Sequence, residues 1–519
     1  MGNLMKNWER EMNSKDKKKG IIIDVLGDIC LAQYELDMEA CCDVADAIND
    51  RLGKADYRIA NLESPFLEDK NVRPIYKAGP NLRTDMKYVD FINKLDIDAY
   101  TLANNHLGDF GEKGIKDTIN ILKKMKKQYT GSSLDYESTY SPLRVEIEGF
   151  KVSFISVCET EFGVARNGKI GAAGFDNAII KEIIQKEKEW ADYKIIIFHG
   201  GTEYYPFPSP GLKQRYHWLI DIGGDIVIGM HQHCPVGYER YRDSLIIFGL
   251  GNFFFPERNI TLYENWNVGY MARLLIESNK TVHFQPIPFM FDNEGKTFQR
   301  IDTQAFTKYY TEISEPIQND AALKKLFNGW AYYSGVKQYE ILKKHIANDD
   351  NIYSASIVKN LFTCEAHNEL LRTWLNLRYY EPYENYEEDF EAVRKYINIL
   401  HYGLRTEEDK SFETKKEEKY VLWGVSKKAE EIYKKLKDSR YEIFLIDKNP
   451  NKQGFSFMGI IIESPEAVIS RNIDATYYIC TSEMYVEEIR DYLISLGVSE
   501  QKIRREWRTD DNISGTEKS

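Results

Sequence analysis

The feature that most constrains the fold of this chain is a series of short apolar runs, rich in β-branched residues, that end at a glycine or a polar side chain. The runs are IIIDVLGDICL, KVSFISVC, YKIIIFHG, DIVIGM and SLIIFGLGNFFF. Helical patterns such as KYVDFINKL and KGIKDTINILKKM lie between several of them. Buried strands that alternate with helices are typical of a layered α/β domain, which we predict over residues 20–298.

The remaining sequence predicts a helical region and a second α/β domain. Residues 299–413 contain amphipathic patterns without strand-like runs, so we predict a helical region that ends in a charged linker. Residues 414–508 return to a compact alternation of strands and helices, which predicts a small Rossmann-like α/β domain. The polar ends, residues 1–19 and 509–519, are expected to form a surface tail and a disordered tail.

Charge and cysteine content restrict the partners and the compartment. The chain of 519 residues has 69 Lys and Arg against 81 Asp and Glu, a formal net charge of −12 at pH 7. This acidity disfavours a nucleic-acid binder, which needs a basic face for the phosphates. No window approaches the ~20 apolar residues of a membrane span, so we predict no transmembrane segment. The seven cysteines form no disulfide framework. We therefore predict a cytoplasmic protein that becomes peripheral to a membrane only through a partner.

Side chains able to bind a metal stand at or just after the ends of strand-like runs. They are Asp28, Glu63, Asn105, His106, His199, His231 and His233. Because the loops at the carboxyl ends of strands converge in open α/β sheets, we expect one common site. A single histidine in such a place is more typical of a structural residue, but four of them with two acids favour a metal centre. This mixed set of ligands suits Mn, Fe or Zn rather than Ca.

The spacing of the last two histidines adds a geometric prediction. His231 and His233 are two residues apart, and in an extended segment such residues point to the same side. We therefore predict that both rings can reach one ion or two adjacent ions.

The order of the motifs resembles one known family. GD, NLE, NNHxxD, H, GxHxH and LGNFxF follow one another within the blocks NLESP, TLANNHLGDFG, HGGTEYY, DIVIGMHQHCPVGYE and IIFGLGNFFFP. This arrangement, over roughly residues 20–290, resembles the CapA-type poly-γ-glutamate capsule biosynthesis proteins. The resemblance implies a calcineurin-like metallophosphoesterase sandwich with a divalent metal site.

The resemblance also implies roles for individual residues. It assigns the metal ligands to Asp28, Glu63, Asn105, His199, His231 and His233. It places a general acid at His106, which Asp109 would orient. Two blocks depart from the metallophosphoesterase pattern, because Cys30 replaces a histidine and Glu63 follows Asn-Leu where an aspartate follows glycine. We therefore expect one or two ions.

Such a metal centre suits reaction at a phosphoester or an acyl phosphate, since paired metals lower the pKa of a bridging water and clamp the attacking and leaving oxygens. An anionic substrate in an acidic protein needs cationic partners, and the candidates are Lys77 in the YKAGP block and Arg83. Glu203, just after His199, is a candidate for the pocket lining.

The predicted function is that of a metal-dependent enzyme of capsule or other surface-polymer biosynthesis. We expect a small phosphorylated or acyl-phosphate substrate rather than the long polyanion, which the acidic chain would repel. A polymer synthase complex is the expected partner. Two alternatives stay open: a cytoplasmic phosphoesterase for a nucleotide or sugar phosphate, and a non-catalytic, metal-stabilised assembly protein of a polymer synthase.

A further motif lies in the helical region, within FTCEAHNELL. On a helix, Cys364 and His367 share a face, which is the minimum for a metal pair, and Glu365 lies between them. Because no further ligand is nearby in the sequence, we favour packing of this helix against the first domain.

The C-terminal domain has a weak nucleotide-binding motif. Gly424 and Ser426 directly follow a strand, in the place of a glycine-rich phosphate loop, but the second glycine of that loop is absent. Asp447 ends the next strand, where an acid can bond a ribose hydroxyl. We therefore favour a degenerate module for interaction or sugar-nucleotide sensing over one that binds a dinucleotide.

Overall fold

The structure is a computed structural model that describes residues 20–504 with several gaps. The gaps are residues 33, 36, 257–265, 293, 302, 348–350, 382, 398–417, 437–440, 451, 454–455, 458–459, 472–474 and 481–484. The predicted tails, 1–19 and 509–519, and most of the predicted linker therefore lie outside the described residues. The chain forms two compact units that divide near residue 404.

The first unit contains two β-sheets. Its strands are β1 (Gly20–Ile29), β2 (Tyr57–Leu62), β3 (Ala99–Thr101), β4 (Gln128–Thr130), β5 (Leu143–Ile147), β6 (Phe150–Cys158), β7 (Tyr193–His199), β8 (Ile226–Met230), β9 (Pro235–Tyr241), β10 (Ser244–Leu250), β11 (Asn252–Phe254), β12 (Val268–Glu277), β13 (Val282–Phe291) and β14 (Phe298–Arg300). One sheet has the order β14-β13-β12-β1-β2-β3-β4, with β11 beside β1. The other has the order β5-β6-β7-β8-β10-β9. The central strands of each sheet are parallel, so their carboxyl ends meet at one edge.

The two sheets pack face to face. Every residue of β2, β7 and β8 is buried, as expected for strands covered on both sides. Tyr57 of β2 stacks on Phe154 of β6, with 5.6 Å between ring centroids. The predicted α/β fold is confirmed, and the two-sheet arrangement is consistent with a metallophosphoesterase-like sandwich.

One charged residue lies inside this sandwich, on β1. Asp24 is fully buried and accepts hydrogen bonds from Arg58 at 3.2 Å and from Arg273 at 2.7 Å and 2.8 Å. Arg273 also donates to the carbonyl of Leu52, 2.8 Å away. Asp24 therefore shares one negative charge between two guanidinium groups and connects β1, β2 and β12.

Helices cover the sheets and form the predicted helical region. They are α1 (Met38–Leu52), α2 (Val89–Lys94), α3 (Gly111–Lys124), α4 (Asn177–Glu187), α5 (Pro210–Asp221), α6 (Thr303–Ser314), α7 (Asp320–Ile346), α8 (Ile352–Thr363), α9 (Glu365–Leu375) and α10 (Tyr386–Ile397). Shorter 3-10 or π-helical segments are Met86–Tyr88, Pro316–Gln318 and Asn376–Tyr380. None of the helices in the described ranges has an apolar stretch long enough to cross a bilayer.

The helical region and the first domain are joined by hydrogen bonds at helix ends. Glu369 of α9 accepts hydrogen bonds from the Ser209 hydroxyl at 2.5 Å and from the Gly211 amide at 2.8 Å, at the first turn of α5. In return, Glu159 accepts a hydrogen bond from the Ala366 amide, at the first turn of α9. Each carboxylate satisfies amides that a helix start leaves unpaired, so the two regions form one unit.

The second unit contains a largely parallel sheet with the order β17-β18-β16-β15-β19-β20. Its strands are β15 (Glu418–Trp423), β16 (Tyr441–Ile446), β17 (Ser456–Phe457), β18 (Ile460–Glu463), β19 (Thr476–Ile479) and β20 (Ile503–Arg504). Its helices are α11 (Lys427–Leu436), α12 (Pro465–Ile469) and α13 (Val486–Ser495), with a 3-10 turn at Glu500–Lys502. Apolar clusters lie on two faces of the sheet.

Candidate metal centre

The centre is built around Asp28 at the end of β1. Asp28 pairs in register with Asn61 on β2 and with Asn252 on β11. The Asn61 side-chain amide donates to one Asp28 oxygen at 2.8 Å, and the His231 backbone amide donates to the other at 3.1 Å. Burial acts to raise the pKa of Asp28, but the nearby His199 and His233 outweigh it and hold that pKa below its ordinary value.

Glu63, directly after β2, is the least satisfied polar group of the centre. Both of its carboxylate oxygens are buried, and they accept no hydrogen bond from the residues that the structure describes. Burial, followed by the charges of Asp28 and Glu203, raises the pKa of Glu63 well above its ordinary value. Buried carboxylates in proteins normally have a hydrogen-bond donor or a cation as partner. The side chains around Glu63 therefore fit a bound cation.

Three potential ligands surround Nε2 of His199. Oδ1 of Asn105 is 3.1 Å away, Nδ1 of His231 is 3.2 Å away and Oε1 of Glu63 is 3.6 Å away. Ligands that share an ion at ~2.1 Å lie roughly 3.0–3.6 Å apart. This spacing is suitable for one ion held by Asn105, His199, His231 and Glu63.

His233 approaches Glu63 from another side. Its Nε2 is 3.7 Å from Oε1 of Glu63, and its Nδ1 is 2.8 Å from Oδ1 of Asn252. The amide of Asn252 donates to the carbonyl of Trp266 at 3.0 Å, so its oxygen accepts from Nδ1–H of His233. This hydrogen bond leaves the lone pair of Nε2 on the side of Glu63, as a ligand requires.

The backbone at the two histidines differs from the sequence-based prediction. β8 ends at Met230, and His231 and His233 have positive φ values of 93° and 55°, so the prediction of an extended segment was wrong. The turn brings the His231 amide to Asp28, and the two rings still lie 5.8 Å apart between centroids. Positive φ is costly for residues other than glycine and is concentrated at functional sites. Burial lowers the pKa of His231 and lowers that of His233 to about 4, which favours the neutral form of imidazole that binds metals.

His106 lies beside this cluster with two charged partners. Its Nδ1 is 2.8 Å from Oδ2 of Asp109 and 3.0 Å from Nζ of Lys77. Lys77 is buried and forms an ion pair with Oδ1 of Asp109 at 2.5 Å. Burial and the charge of Lys77 lower the pKa of His106. Because Nδ1 is engaged, Nε2 is the nitrogen of His106 that can exchange a proton with a substrate.

The other sequence-predicted residues take different places. Oε1 of Glu203 is 3.8 Å from Nε2 of His231, so Glu203 borders the metal cluster. Arg83 donates to the backbone carbonyl of Lys70 at 3.3 Å, at the surface. The backbone amide of Cys30 donates to the carbonyl of Phe254, and its buried thiol is outside the donor clusters that the described residues form.

Sequence reasoning missed two residues that organise the centre, Asn61 and Asn252. Oδ1 of Asn61 accepts hydrogen bonds from Thr101 at 3.0 Å and from Asn104 at 3.1 Å, so its NH₂ group faces Asp28 and His199. Both residues lie within the NLESP and LGNFFF motifs, and this was the available signal. Asn61 and Asn252 lie beside Asp28 because β1 pairs with both β2 and β11.

In the second unit the candidate nucleotide-binding residues share one edge of the sheet. Gly424 follows β15, and Asp447 follows the adjacent parallel strand β16. The hydroxyl of Ser426 donates to the carbonyl of Cys480 at 2.5 Å and accepts from the Ala429 amide at 3.2 Å. Asp447 pairs with Lys452 at 2.8 Å. Ser426 and Asp447 are therefore already engaged within their own loops, and nucleotide binding stays a prediction.

Comparison with known proteins agrees with the motif order. The family model "Bacterial capsule synthesis protein PGA_cap" matches residues 22–257, which contain most strands of the sandwich and all the clustered candidate ligands. The first domain is of the CapA type. A second family model, "C2185-like, N-terminal", matches residues 416–504.

Individual relatives of the CapA-type domain are distant. The chain is 28% identical over 215 residues to a capsule biosynthesis protein CapA of Bacillus anthracis, covering 40% of this chain and 52% of that protein. It is 25% identical over 239 residues to a PGA biosynthesis protein CapA of Bacillus subtilis, covering 45% and 62%. It thus spans about half to three-fifths of the length of these relatives. A crystal structure of a hypothetical protein from Thermus thermophilus aligns with 52% of this chain and 99% of its own, at 16% identity and a TM-score of 0.33.

Proposed function

We propose that this CapA-type protein is a metal-dependent enzyme of capsule or related surface-polymer biosynthesis that acts on a phosphoester or an acyl phosphate. The observation that supports metal dependence best is Glu63, whose two buried oxygens face His199 and His233 and have no hydrogen-bond partner in the described part of the chain. The biosynthetic role is inferred from relatives whose names refer to capsule and PGA biosynthesis.

The ligands divide into two groups that share Glu63. One group would be Asn105, His199 and His231, and the other would be Asp28 and His233. Imidazole, amide and carboxylate ligands favour Mn, Fe or Zn. When bound, such ions supply a nucleophilic hydroxide at neutral pH and neutralise charge on phosphate oxygens.

The protein's own residues would direct the proton transfer. His106, whose Nδ1–H would donate to Asp109, would in its protonated form give the proton on Nε2 to the leaving oxygen. General acid catalysis of this kind contributes about 10²–10⁴-fold in rate. Lys77 is engaged with Asp109, so we now propose that it positions His106 rather than binding the substrate directly.

The partner proposal depends on the names of relatives. Two mycobacterial relatives, each 29% identical over 164 residues, are named probable polyglutamine synthesis accessory proteins. We propose that this chain likewise serves a polymer synthase complex, from the cytoplasm. The second unit would be the Rossmann-like module that recognises a partner or a sugar nucleotide.

The test compares metal content and turnover in purified variants. Protein loaded separately with Mn, Fe and Zn is desalted, its metal is measured by mass spectrometry, and turnover is assayed on a phosphodiester, a phosphomonoester and acetyl phosphate. We expect His231→Ala to lose metal and turnover together. We expect His106→Ala to keep its metal and to lose turnover by about 10²–10⁴-fold. His283→Ala, on β13 outside the cluster, is the matched control and should change neither.

The outcomes separate the proposed enzyme from its alternatives. Turnover of acetyl phosphate would support the biosynthetic enzyme, whereas turnover confined to the phosphate esters is equally expected of a nucleotide or sugar-phosphate phosphoesterase. Stoichiometric metal without turnover on any of the three substrates would favour the non-catalytic assembly protein. If the wild-type protein binds none of the three metals, the ligand assignment itself is wrong.

A further inference from the structure

A second group of metal-binding side chains lies where the helical region meets the first domain. Glu161, in the loop after β6, comes close to Cys364 and His367 at the break between α8 and α9. One donor atom from each of the three residues lies within 4.8 Å of the other two. Sequence reasoning considered Cys364, Glu365 and His367 but not Glu161, which belongs to a distant part of the chain.

We propose that Glu161, Cys364 and His367 form a zinc site that is separate from the cluster around Glu63. A thiolate, an imidazole and a carboxylate are all ordinary zinc ligands, and thiolate disfavours Mn and Mg. Donor atoms that share a tetrahedral zinc ion lie roughly 3.5 Å apart. The three donor atoms would therefore have to move closer to one another by about 1 Å, and rotation of the side chains can supply this movement.

The surroundings of His367 support its role as a ligand. Its Nδ1 is 2.7 Å from Nε2 of Gln338, while Oε1 of Gln338 is buried without a hydrogen-bond partner among the described residues. The two ends of a glutamine amide are interchangeable in assignment, and the exchanged orientation lets Oε1 accept from Nδ1–H of His367. Nε2 of His367 then carries its lone pair 3.9 Å from Oε1 of Glu161. In this arrangement two acceptors, Nε2 of His367 and Oε1 of Glu161, face each other, and a bound cation would satisfy both.

Cys364 is equally well placed to serve as a ligand. It is 1% exposed, and its thiol donates to Oε2 of Glu159 at 3.4 Å, so metal binding would release the thiol proton from this hydrogen bond. The two hydrogen-bonded helix starts described above, at Ser209 and at Ala366, hold the same junction. The scaffold of the proposed site is therefore already assembled from both regions.

The location suggests what the ion would do. Glu161 is near enough to interact electrostatically with His106 and Glu203, and His367 interacts in the same way with His231. A zinc ion here would add positive charge beside a centre whose buried lysine, Lys77, is already paired with Asp109. Three protein ligands also leave a fourth position, which zinc fills with water or with an anionic oxygen.

Cobalt substitution tests the site without reference to activity. The full-length protein is stripped of metal, titrated with Co²⁺ and followed by absorption, because a thiolate bound to cobalt gives a charge-transfer band that carboxylate and imidazole ligands do not give. We expect this band in the wild-type protein and in His231→Ala, and its displacement by Zn²⁺ in excess over all the proposed sites. Glu161→Gln should retain the band but weaken the affinity by about 10–100-fold.

Two buried cysteines serve as a matched pair in this experiment. Cys364→Ser should abolish the band, and Cys30→Ser, just after the end of β1, should leave it unchanged. A band that is lost in Cys30→Ser and kept in Cys364→Ser would assign the thiolate to the cluster around Glu63 and overturn the proposal. Absence of the band in the wild-type protein would also overturn it. If Cys364→Ser does not fold, the half-buried His367→Ala replaces it and should weaken cobalt binding by at least the same factor as Glu161→Gln.

Discussion

Nδ1 of His233 lies 2.8 Å from Oδ1 of Asn252, and this hydrogen bond sets the tautomer of a proposed metal ligand. Removal of such a partner typically costs 10–100-fold in metal affinity. We therefore expect Asn252→Ala to weaken metal binding by about that factor, whereas Asn252→Asp, which keeps an acceptor, should retain most of the affinity. Competition with a chromophoric chelator measures the difference.

A surface asparagine provides the control for this prediction. Asn279 lies in the exposed turn between β12 and β13, and Asn279→Ala should leave the affinity unchanged. Thermal unfolding of Asn252→Ala with the metal removed shows whether the domain is intact. Equal affinities for Asn252→Ala and the wild-type protein would mean that Asn252 does not orient the ligand.

The unpartnered carboxylate of Glu63 leads to a prediction on stability. A ligand that binds only the folded state stabilises it by about 2.7 kcal/mol at a concentration of 100 times its Kd. We expect Mn or Zn to raise the Tm of the wild-type protein and to leave that of Glu63→Gln nearly unchanged. In the presence of chelator, Glu63→Gln should be at least as stable as the wild-type protein, because it buries no group that can ionise. A large loss of stability in chelated Glu63→Gln would contradict the proposed role.

The sequence could predict the proposed ligands but not the residues that arrange them. Asp28, His199 and His231 follow apolar strands, and the rule that loops converge at the carboxyl ends of parallel strands brings them together. Asn61 and Asn252 are different, because their contacts with Asp28 and His233 depend on β1 lying between β2 and β11. This strand pairing joins segments that are far apart along the chain, so no local sequence pattern predicts which strands become neighbours. For the same reason the sequence could not predict that Glu161 lies beside Cys364 and His367, which belong to another region of the chain.

The buried ion pairs of Asp24 predict an unusually large effect on folding. Asp24→Ala would leave Arg273 inside the sandwich without its counter-charge and Arg58 with only its pair to the exposed Asp96, and breaking a buried pair in this way typically costs about 3–5 kcal/mol. An exposed pair of the same kind, Asp46 with Lys94 at 2.6 Å, is the control, and Asp46→Ala should cost less than about 1 kcal/mol. Urea unfolding of both variants gives the two values. Similar costs would show that Asp24 contributes no more than a surface carboxylate.

The pair of Lys77 and Asp109 allows the positioning role of Lys77 to be separated from substrate binding. Lys77→Met should cost about 3–5 kcal/mol of stability, because it leaves Asp109 buried without its ion pair. The double variant with Asp109→Asn removes the stranded charge, so it should be more stable than the sum of the single variants predicts, by about 0.5–3 kcal/mol.

Kinetics complete this last test. If Lys77 acts by holding His106, Lys77→Met should lower kcat far more than it raises KM, and the loss should not add to that of His106→Ala. Lys77→Arg is the conservative comparison, since it keeps the charge beside Asp109, and it should recover part of kcat. A variant that raises KM with kcat unchanged would instead place the ammonium group of Lys77 on the substrate. Additive losses in the double variant with His106→Ala would likewise separate Lys77 from the histidine.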